Sequence, residues 1–404
     1  MATKRTDSKK RNLRTGEGQR EDGRYYYRYT NLSGKRKMVY ALTLADLREK
    51  EKQITRDLED GIDSTGAEVT LNELFDLYLQ TKTKLKESTV QSYSYMYNLY
   101  VRSSTLGEMK ISDIKAVHVL NFYSLLTGSG FSKNTLLKIH NNLIAPSFQL
   151  GVKSDFIRKN PAEGAGKEIS GPKKKVQALS RQQQAALLKF VSENAFYQVR
   201  EPMLTVFLQT GLRQSELSGL RWKDVDFKAG ILHIRQQLVY HDYGDGYRFH
   251  LQTLKTEASR RDIPITKECK RALMKQREYD MMLNIKRQEV EGITDYIFIT
   301  REGKPLCNSG INSFLESVVN KYNLEEETNA RKERRDPLPL PHISCHVLRH
   351  CYGTRMAESG VPAKTLQTLL GHSDIKTTLN IYVNLDFEEI KKQVADAETY
   401  MNAI

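Results

Sequence analysis

The chain has 404 residues, with 63 Lys and Arg against 49 Asp and Glu, a formal net charge of +14 and an isoelectric point near 9.3. Such a length predicts several domains rather than a single core. A mean hydropathy of −0.58, with no apolar run approaching the ~18 residues a spanning helix needs, excludes a transmembrane segment, and no apolar stretch follows the basic N-terminus to make a secretory leader. Cys269, Cys307, Cys345 and Cys351 form no C-x-x-C pair, which suits reduced thiols rather than a disulfide framework.

Positive charge is spread along the chain: 16 basic and 11 acidic residues in 1–66, 15 and 9 in 67–178, and 32 and 29 in 179–404. A distributed excess suits a protein lying along a polyanion such as nucleic acid, although solubility alone can also favour it. Residues 1–15 hold six basic side chains and few apolar ones, predicting a disordered arm or one ordered by its partner. Arg24 to Tyr29 and Lys37 to Leu42 are β-prone runs around the turn Asn31-Leu32-Ser33-Gly34, and Thr43 can cap a helix over Leu44 to Leu58 that Gly61 ends. Arg24, Tyr26, Arg28, Lys35 and Arg36 are candidates for a nucleic-acid-reading sheet face, while alternate tyrosines can equally pack on the helix. These features make residues 1–66 a small sheet-plus-helix module.

Residues 67–165 read as a four-helix bundle: LNELFDLYL after Thr70, a helix capped by Ser88, Ile114 to Leu126, and a helix capped by Ser132, with Asn160-Pro161 closing the unit. A Gly-rich and basic stretch, residues 166–178 with Lys173, Lys174 and Lys175, predicts a flexible linker that can touch a polyanion. Residues 179–404 read as a mixed α/β domain with a helical tail, in which Glu325 to Pro341 is expected to be an exposed connection. The fold class expected is therefore multidomain, mainly α with small antiparallel β-sheets.

Four pieces of the third domain each place a cationic or proton-transferring side chain at the end of an element. In Thr210-Gly-Leu-Arg-Gln-Ser-Glu, Gly211 breaks two helices, Arg213 opens the second, and Glu216 one turn on can orient its guanidinium or simply form a surface pair. Lys255 stands at the tip of a turn between two β-runs, where it can donate a proton or merely aid solubility. His346, Arg349 and His350 share a helical face; zinc through His342, His346 and His350 is disfavoured by Arg349 and by the missing glutamate of an H-E-x-x-H site. Gly371 and His372 form a turn before a helix capped by Ser373 or Asp374, near whose end lies Tyr382, a reactive phenol or a core aromatic. Together these groups suit phosphoryl transfer, because forked guanidinium groups compensate charge on phosphate oxygens and a tyrosine becomes a nucleophile only beside a base or cations.

The ordered set GLRxSE, K-T-x-x-S-x-R, H-x-L-R-H and L-G-H-S with a tyrosine ten residues past the histidine resembles the tyrosine recombinases, the phage-integrase family. The three-part layout is similar to integrases of conjugative transposons and of phage lambda. That resemblance implies a site-specific DNA recombinase of a mobile element, with Tyr382 as nucleophile, Arg213, Arg349 and His372 on the scissile phosphate, Lys255 as general acid, His346 as base, and Glu216 and His350 in support. It implies an N-terminal module for arm-type sites, a bundle for core sites, a homo-tetramer on double-stranded DNA, possible accessory DNA-bending or excision proteins, a bacterial cytoplasmic location at the nucleoid, and no cofactor or metal. Gln214 departs from the family, which more often has an apolar residue there. A relaxing topoisomerase with the same tyrosine chemistry and a non-catalytic DNA-binding regulator are the competing readings. The tail stripe Phe387, Ile390, Val394, Ala397 and Met401 is expected to dock on a neighbouring subunit or fold back on its own domain.

Overall fold

The computed structural model describes residues 5–31, 34–61, 68–172, 177–243, 246–254, 256–383, 391, 393–395 and 398–399. Lys173, Lys174, Lys175, Lys255, Phe387, Ile390, Ala397 and Met401 lie outside the described residues. The chain divides into two compact units, Met1–Lys174 and Lys175–Ile404. Among the described residues no helix is long and apolar enough to cross a membrane.

The first unit begins with three antiparallel strands, β1 (Glu17–Gln19), β2 (Tyr25–Thr30) and β3 (Arg36–Ala41), in the order β1-β2-β3, followed by α1 (Leu44–Glu59). The Thr43 hydroxyl caps α1 by accepting from the Asp46 amide at 3.1 Å. The period-2 alternation of a strand buries Tyr25 with Ala41, Leu44 and Leu47, and turns Tyr26 and Arg28 to the opposite face. Residues 5–15 differ from the expected arm. Asp7 accepts from the Lys9 and Arg11 amides, the Arg11 side chain and the Tyr25 hydroxyl, and Leu13 packs on the small core. One acidic side chain that satisfies a turn and a buried phenol outweighs the basic composition on either side of it.

The bundle comprises α2 (Leu71–Gln80), α3 (Glu87–Tyr100), the short α4 (Thr105–Glu108), α5 (Ala116–Gly128), α6 (Lys133–Ile139) and α7 (Ala145–Lys153), with one π-helical segment at His140–Ile144. Thr70 and Glu73 form a reciprocal cap, and Ser132 caps α6. Helix α3 starts at Glu87 after Lys86 without a side-chain cap, one residue ahead of the cap expected from Ser88. Leu74, Phe75, Tyr97, Ile144 and Phe148 fill the core, with the Phe75 and Tyr97 rings stacked 3.6 Å apart. Asn160-Pro161 does not close this unit. The Asn160 side chain bonds the Ala145 carbonyl and the Ala162 amide, steering the chain back so that α8 (Ala165–Glu168) and its neighbours bury Ala162, Ala165 and Ile169 in the same core.

In the second unit, α9 (Arg181–Glu193) begins at a Ser180–Gln183 reciprocal cap, and α10 (Glu201–Thr210) is buried along nearly its whole length. After α11 (Gln214–Ser218) come β4 (Val225–Asp226), β5 (Ile231–Ile234), β6 (Gln236–Asp242), β7 (Tyr247–Thr253) and β8 (Arg261–Pro264). Strands β4-β5-β8 form one sheet, and β6 and β7 form a separate two-stranded one among the described residues. Strands β7 and β8, on either side of Lys255, therefore belong to different sheets, and Lys255 itself lies outside the described residues. The named elements that follow among the described residues are helices: α12 (Lys267–Leu283), α13 (Asn308–Glu333), α14 (Cys345–Glu358), α15 (Ala363–Leu370) and α16 (Ile375–Tyr382). Residues 325–333 are the last turns of α13, most of them exposed, and only residues 334–341 form the largely exposed connection expected of 325–341: Glu327 and Arg331 pair one turn apart, while Glu326 and Asn323 accept from the Leu338 and Leu340 amides. Spaced opposite charges support the last turns of a helix as readily as a loop.

Candidate active site

Helix α10 ends at Gly211, whose φ of 59° is left-handed and whose missing Cβ leaves room for the Tyr352 ring, which a Cβ would meet at 2.3 Å. That sharp stop puts Arg213 at the N-cap of α11. Its amide and Nη1 both donate to Glu216, each at 2.8 Å, and its Nη2 donates to the Gly371 carbonyl at 2.6 Å. Helix α14 delivers Arg349, which is buried and donates from Nη1 to the Gly211 carbonyl at 2.7 Å and from Nη2 to the Leu370 carbonyl at 2.6 Å. Gly371 closes α15 with a φ of 65°, and His372 follows in the turn, its Nδ1 2.9 Å from the Thr378 hydroxyl.

Arg213, His346, Arg349 and His372 all line one open cavity of about 780 Å³, with Gln214 and Tyr240 also on its wall. His350 does not line it, which corrects the expectation that all three groups on α14 project together. At about 100° per residue, positions three and four beyond His346 lie on opposite sides of it, and the cavity takes the Arg349 side. Tyr382 does not line it either. At the last position of α16 it packs beside Ile381, Leu366 and Leu370, and its hydroxyl donates to the Val361 carbonyl. Burial raises the pKa of this phenol, so it is neutral here.

One buried residue of the site has no role in the sequence reading. Arg261, on β8, grips the Glu216 carboxylate with both terminal nitrogens at 3.0 and 2.8 Å, and donates from Nε to the Leu369 carbonyl at 2.6 Å. Its signal in the sequence is the final arginine of K-T-x-x-S-x-R. In the N-terminal sheet, cross-strand register puts Tyr26, Arg28 and Arg36 with Tyr40 on the face away from α1, and the Arg28 guanidinium lies 4.9 Å from the Tyr26 ring. Arg24 and Lys35 are exposed at the strand ends, Arg24 paired with Asp22.

Residues 177–389 match the phage integrase family, residues 1–58 the DNA-binding domain of the Tn916 integrase, and residues 70–126 the SAM-like N-terminal domain of phage integrases. The chain belongs to the phage integrase family. It is a tyrosine-type site-specific recombinase, an integrase. The transposase of transposon Tn916 from Enterococcus faecalis and that of Tn1545 from Streptococcus pneumoniae are each 31% identical to it over 405 residues, which span 96% of this chain and 95% of theirs. The Tn1549 transposon integrase, solved in complex with transposon right end DNA, matches with a TM-score of 0.70 and 26% identity over 83% of this chain and 100% of that one. A lambda integrase tetramer bound to a Holliday junction shares the fold, with a TM-score of 0.51 and 16% identity over 93% of this chain and 98% of that one.

The integrase site is strongly electropositive. Burial would raise the Glu216 pKa, but the hydrogen bonds and charge of Arg261, with the charge of Arg213, hold it down at about 2, so the carboxylate stays ionised. Burial and then the charges of Arg349, Arg213 and Arg261 push His372 down to about 4, and the same kinds of cause lower His346. Both imidazoles are therefore neutral near pH 7, each able to accept a proton or donate a hydrogen bond. Such a site can bind the two non-bridging oxygens of a phosphodiester through forked donors and move a proton beside it. Among the described residues, no three or more His, Cys, Asp or Glu side chains are grouped so as to hold a metal ion.

Proposed function

We propose that this recombinase integrates and excises a mobile element by cutting and rejoining DNA through a 3′-phosphotyrosyl ester on Tyr382. The cavity gathering Arg213, Arg349, His346 and His372 supports the reading most strongly, because it supplies charge compensation and a neutral base around a space that a phosphodiester can enter. In the forward step the Tyr382 oxygen attacks phosphorus, the bond to the 5′ oxygen breaks, His346 takes the phenolic proton, and Lys255 protonates the leaving oxygen. Arg213, Arg349 and His372 stabilise the charge on the non-bridging oxygens, and Glu216 and His350 support them. Attack by a 5′ hydroxyl of another duplex on the phosphotyrosine reverses the step and restores the phenol. The ester is exchanged and not hydrolysed, so the bond energy is kept.

For this to occur Tyr382 must leave the Val361 carbonyl and enter the cavity, or a neighbouring copy must deliver its own tyrosine. The recombinase works as a homo-tetramer around two duplexes in the bacterial cytoplasm, at the nucleoid, with DNA-bending or excision proteins as possible accessories. Residues 1–66 read arm-type sites through Arg24, Tyr26, Arg28, Lys35 and Arg36; residues 67–165 bind the core site; residues 166–178 link them to the catalytic residues 179–404, with Lys173, Lys174 and Lys175 on the phosphate backbone. Phosphate contacts of this kind position the protein, and side chains reaching base edges specify the site.

The test is incubation with duplex DNA carrying the ends of the element that flanks the gene, followed by a denaturing gel. Wild-type protein is expected to give a covalent protein–DNA adduct with a free 5′ hydroxyl, and Tyr382→Phe to bind the same DNA without adduct. An adduct in the phenylalanine variant overturns the assignment.

A further inference from the structure

Three successive carbonyl oxygens at the C-terminal end of α15 each receive one arginine: Leu369 from Arg261, Leu370 from Arg349 and Gly371 from Arg213, all at 2.6 Å. A helix C-terminus concentrates unpaired carbonyls and partial negative charge, so it is a natural anchor for cations. Two of the three guanidinium groups also line the cavity. The third differs. The Arg261 side chain is 2% exposed against 36% for Arg213, it does not line the cavity, and its two terminal nitrogens both donate to the Glu216 carboxylate, Nη1 also to the Ser259 carbonyl.

We infer that Arg261 is the positioning residue of this recombinase: it fixes Glu216, and through it Arg213, and at the same time fixes the Leu369 carbonyl two residues before the Gly371-His372 turn. Its fork holds both oxygens of the Glu216 carboxylate, which in turn takes both the backbone amide and the Nη1 of Arg213. The Nε bond to Leu369 ties the same group to the element that carries His372. The steric fit is close as well, since a Cβ on Gly371 would meet the Arg261 side chain at 3.1 Å. One buried side chain on β8 thus sets the spacing between the α11 and α15 sides of the cavity, and substrate never touches it. Lysine cannot replace it, because a single ammonium cannot hold both carboxylate oxygens and the carbonyl in one plane.

The inference rests on the phosphotyrosyl reading, so the experiment separates the two. Full-length wild type, Arg261→Lys and Tyr382→Phe are compared in single-turnover adduct formation on two substrates, one with an ordinary scissile phosphate and one with a methylphosphonate there, which lacks one anionic oxygen and so needs less charge compensation. Arg261→Lys is expected to bind DNA as wild type does and to cleave the phosphate substrate about a hundredfold more slowly, the scale on which misplaced catalytic groups act. On the methylphosphonate that deficit should shrink to a few-fold. An equal deficit on both substrates, or none on either, overturns the role. If Arg261→Lys does not fold, Arg261→Gln is placed on Glu216→Gln, which removes the buried Arg261–Glu216 ion pair as a whole rather than leaving one half of it. Residues acting as one unit should then cost together no more than Glu216→Gln alone, and additive losses overturn the inference. Failure of the function itself reads differently: wild type gives no adduct, or Tyr382→Phe gives one.

Discussion

The cavity of arginines and histidines and the small cluster holding Tyr382 lie in the same compact unit, yet opposite kinds of interaction hold them. Around the cavity, Arg213, Arg349 and Arg261 are fastened to backbone carbonyls and to a buried carboxylate, so the cations are in place before any DNA arrives. Around Tyr382, the contacts are a few apolar side chains and one hydrogen bond to a carbonyl. The cations are therefore preorganised, while the Tyr382 phenol is kept neutral and apart by contacts that a modest movement can exchange. The separation makes chemical sense: a preset electrostatic frame stabilises the transition state without reorganising, whereas cations around a resting phenol would favour its phenolate before substrate is bound.

Removing the frame should have the largest effect. Arg349→Ala is expected to slow single-turnover adduct formation by roughly a thousandfold, as loss of a preorganised donor does. It should also lower the melting temperature, because the Gly211 and Leu370 carbonyls lose their partner. Next in size is Glu216→Gln, which leaves the buried Arg261 charge without its counter-ion and should cost about 3–5 kcal/mol in urea unfolding at pH 7. Because Glu216 is held at about 2, its contribution is complete above the unfolded carboxylate value of about 4.3 and is lost as pH falls towards 2. The glutamine variant should show a flatter acid limb in that window.

A smaller effect comes from the histidines. His372 is pushed down to about 4 and His346 is also lowered, so from pH 6.5 downward the unfolded chain takes up protons that the folded site refuses. Thermal stability should be level in this respect above about pH 6.5 and decline between there and pH 4, and His372→Gln should remove part of the decline. The smallest change tests the other side of the comparison. Ile381→Val, beside Tyr382, should cost about 0.5–1.5 kcal/mol in unfolding while leaving DNA affinity unchanged, since that cluster supplies no charge to the cavity.

Local chemistry was readable directly. The caps at Thr43, Thr70, Ser132 and Ser180, and the left-handed stops at Gly211 and Gly371, follow from residues within a few positions of one another. The same locality makes Arg213 an N-cap and puts His346 and Arg349 on one side of α14. Expectations drawn from composition did worse. Residues 1–15 read as a disordered or partner-ordered arm and 325–341 as a connection, but in the described residues 5–15 and in 325–333 single acidic side chains, Asp7 and Glu326, find partners that order a chain that stays largely exposed.

By itself, then, the sequence determined the elements, their ends, and the residue types able to handle a phosphodiester, because those depend on backbone preference and side-chain chemistry over a turn or two. Only the tertiary structure decided that Arg261 and Glu216, 45 residues apart in the chain, share one buried ion pair, that three arginines share the end of α15, and that Tyr382 rests on Val361 outside the cavity. Those outcomes turn on which distant carbonyls and carboxylates packing leaves within reach of a guanidinium or a phenol, and no local spacing in the chain encodes that distance.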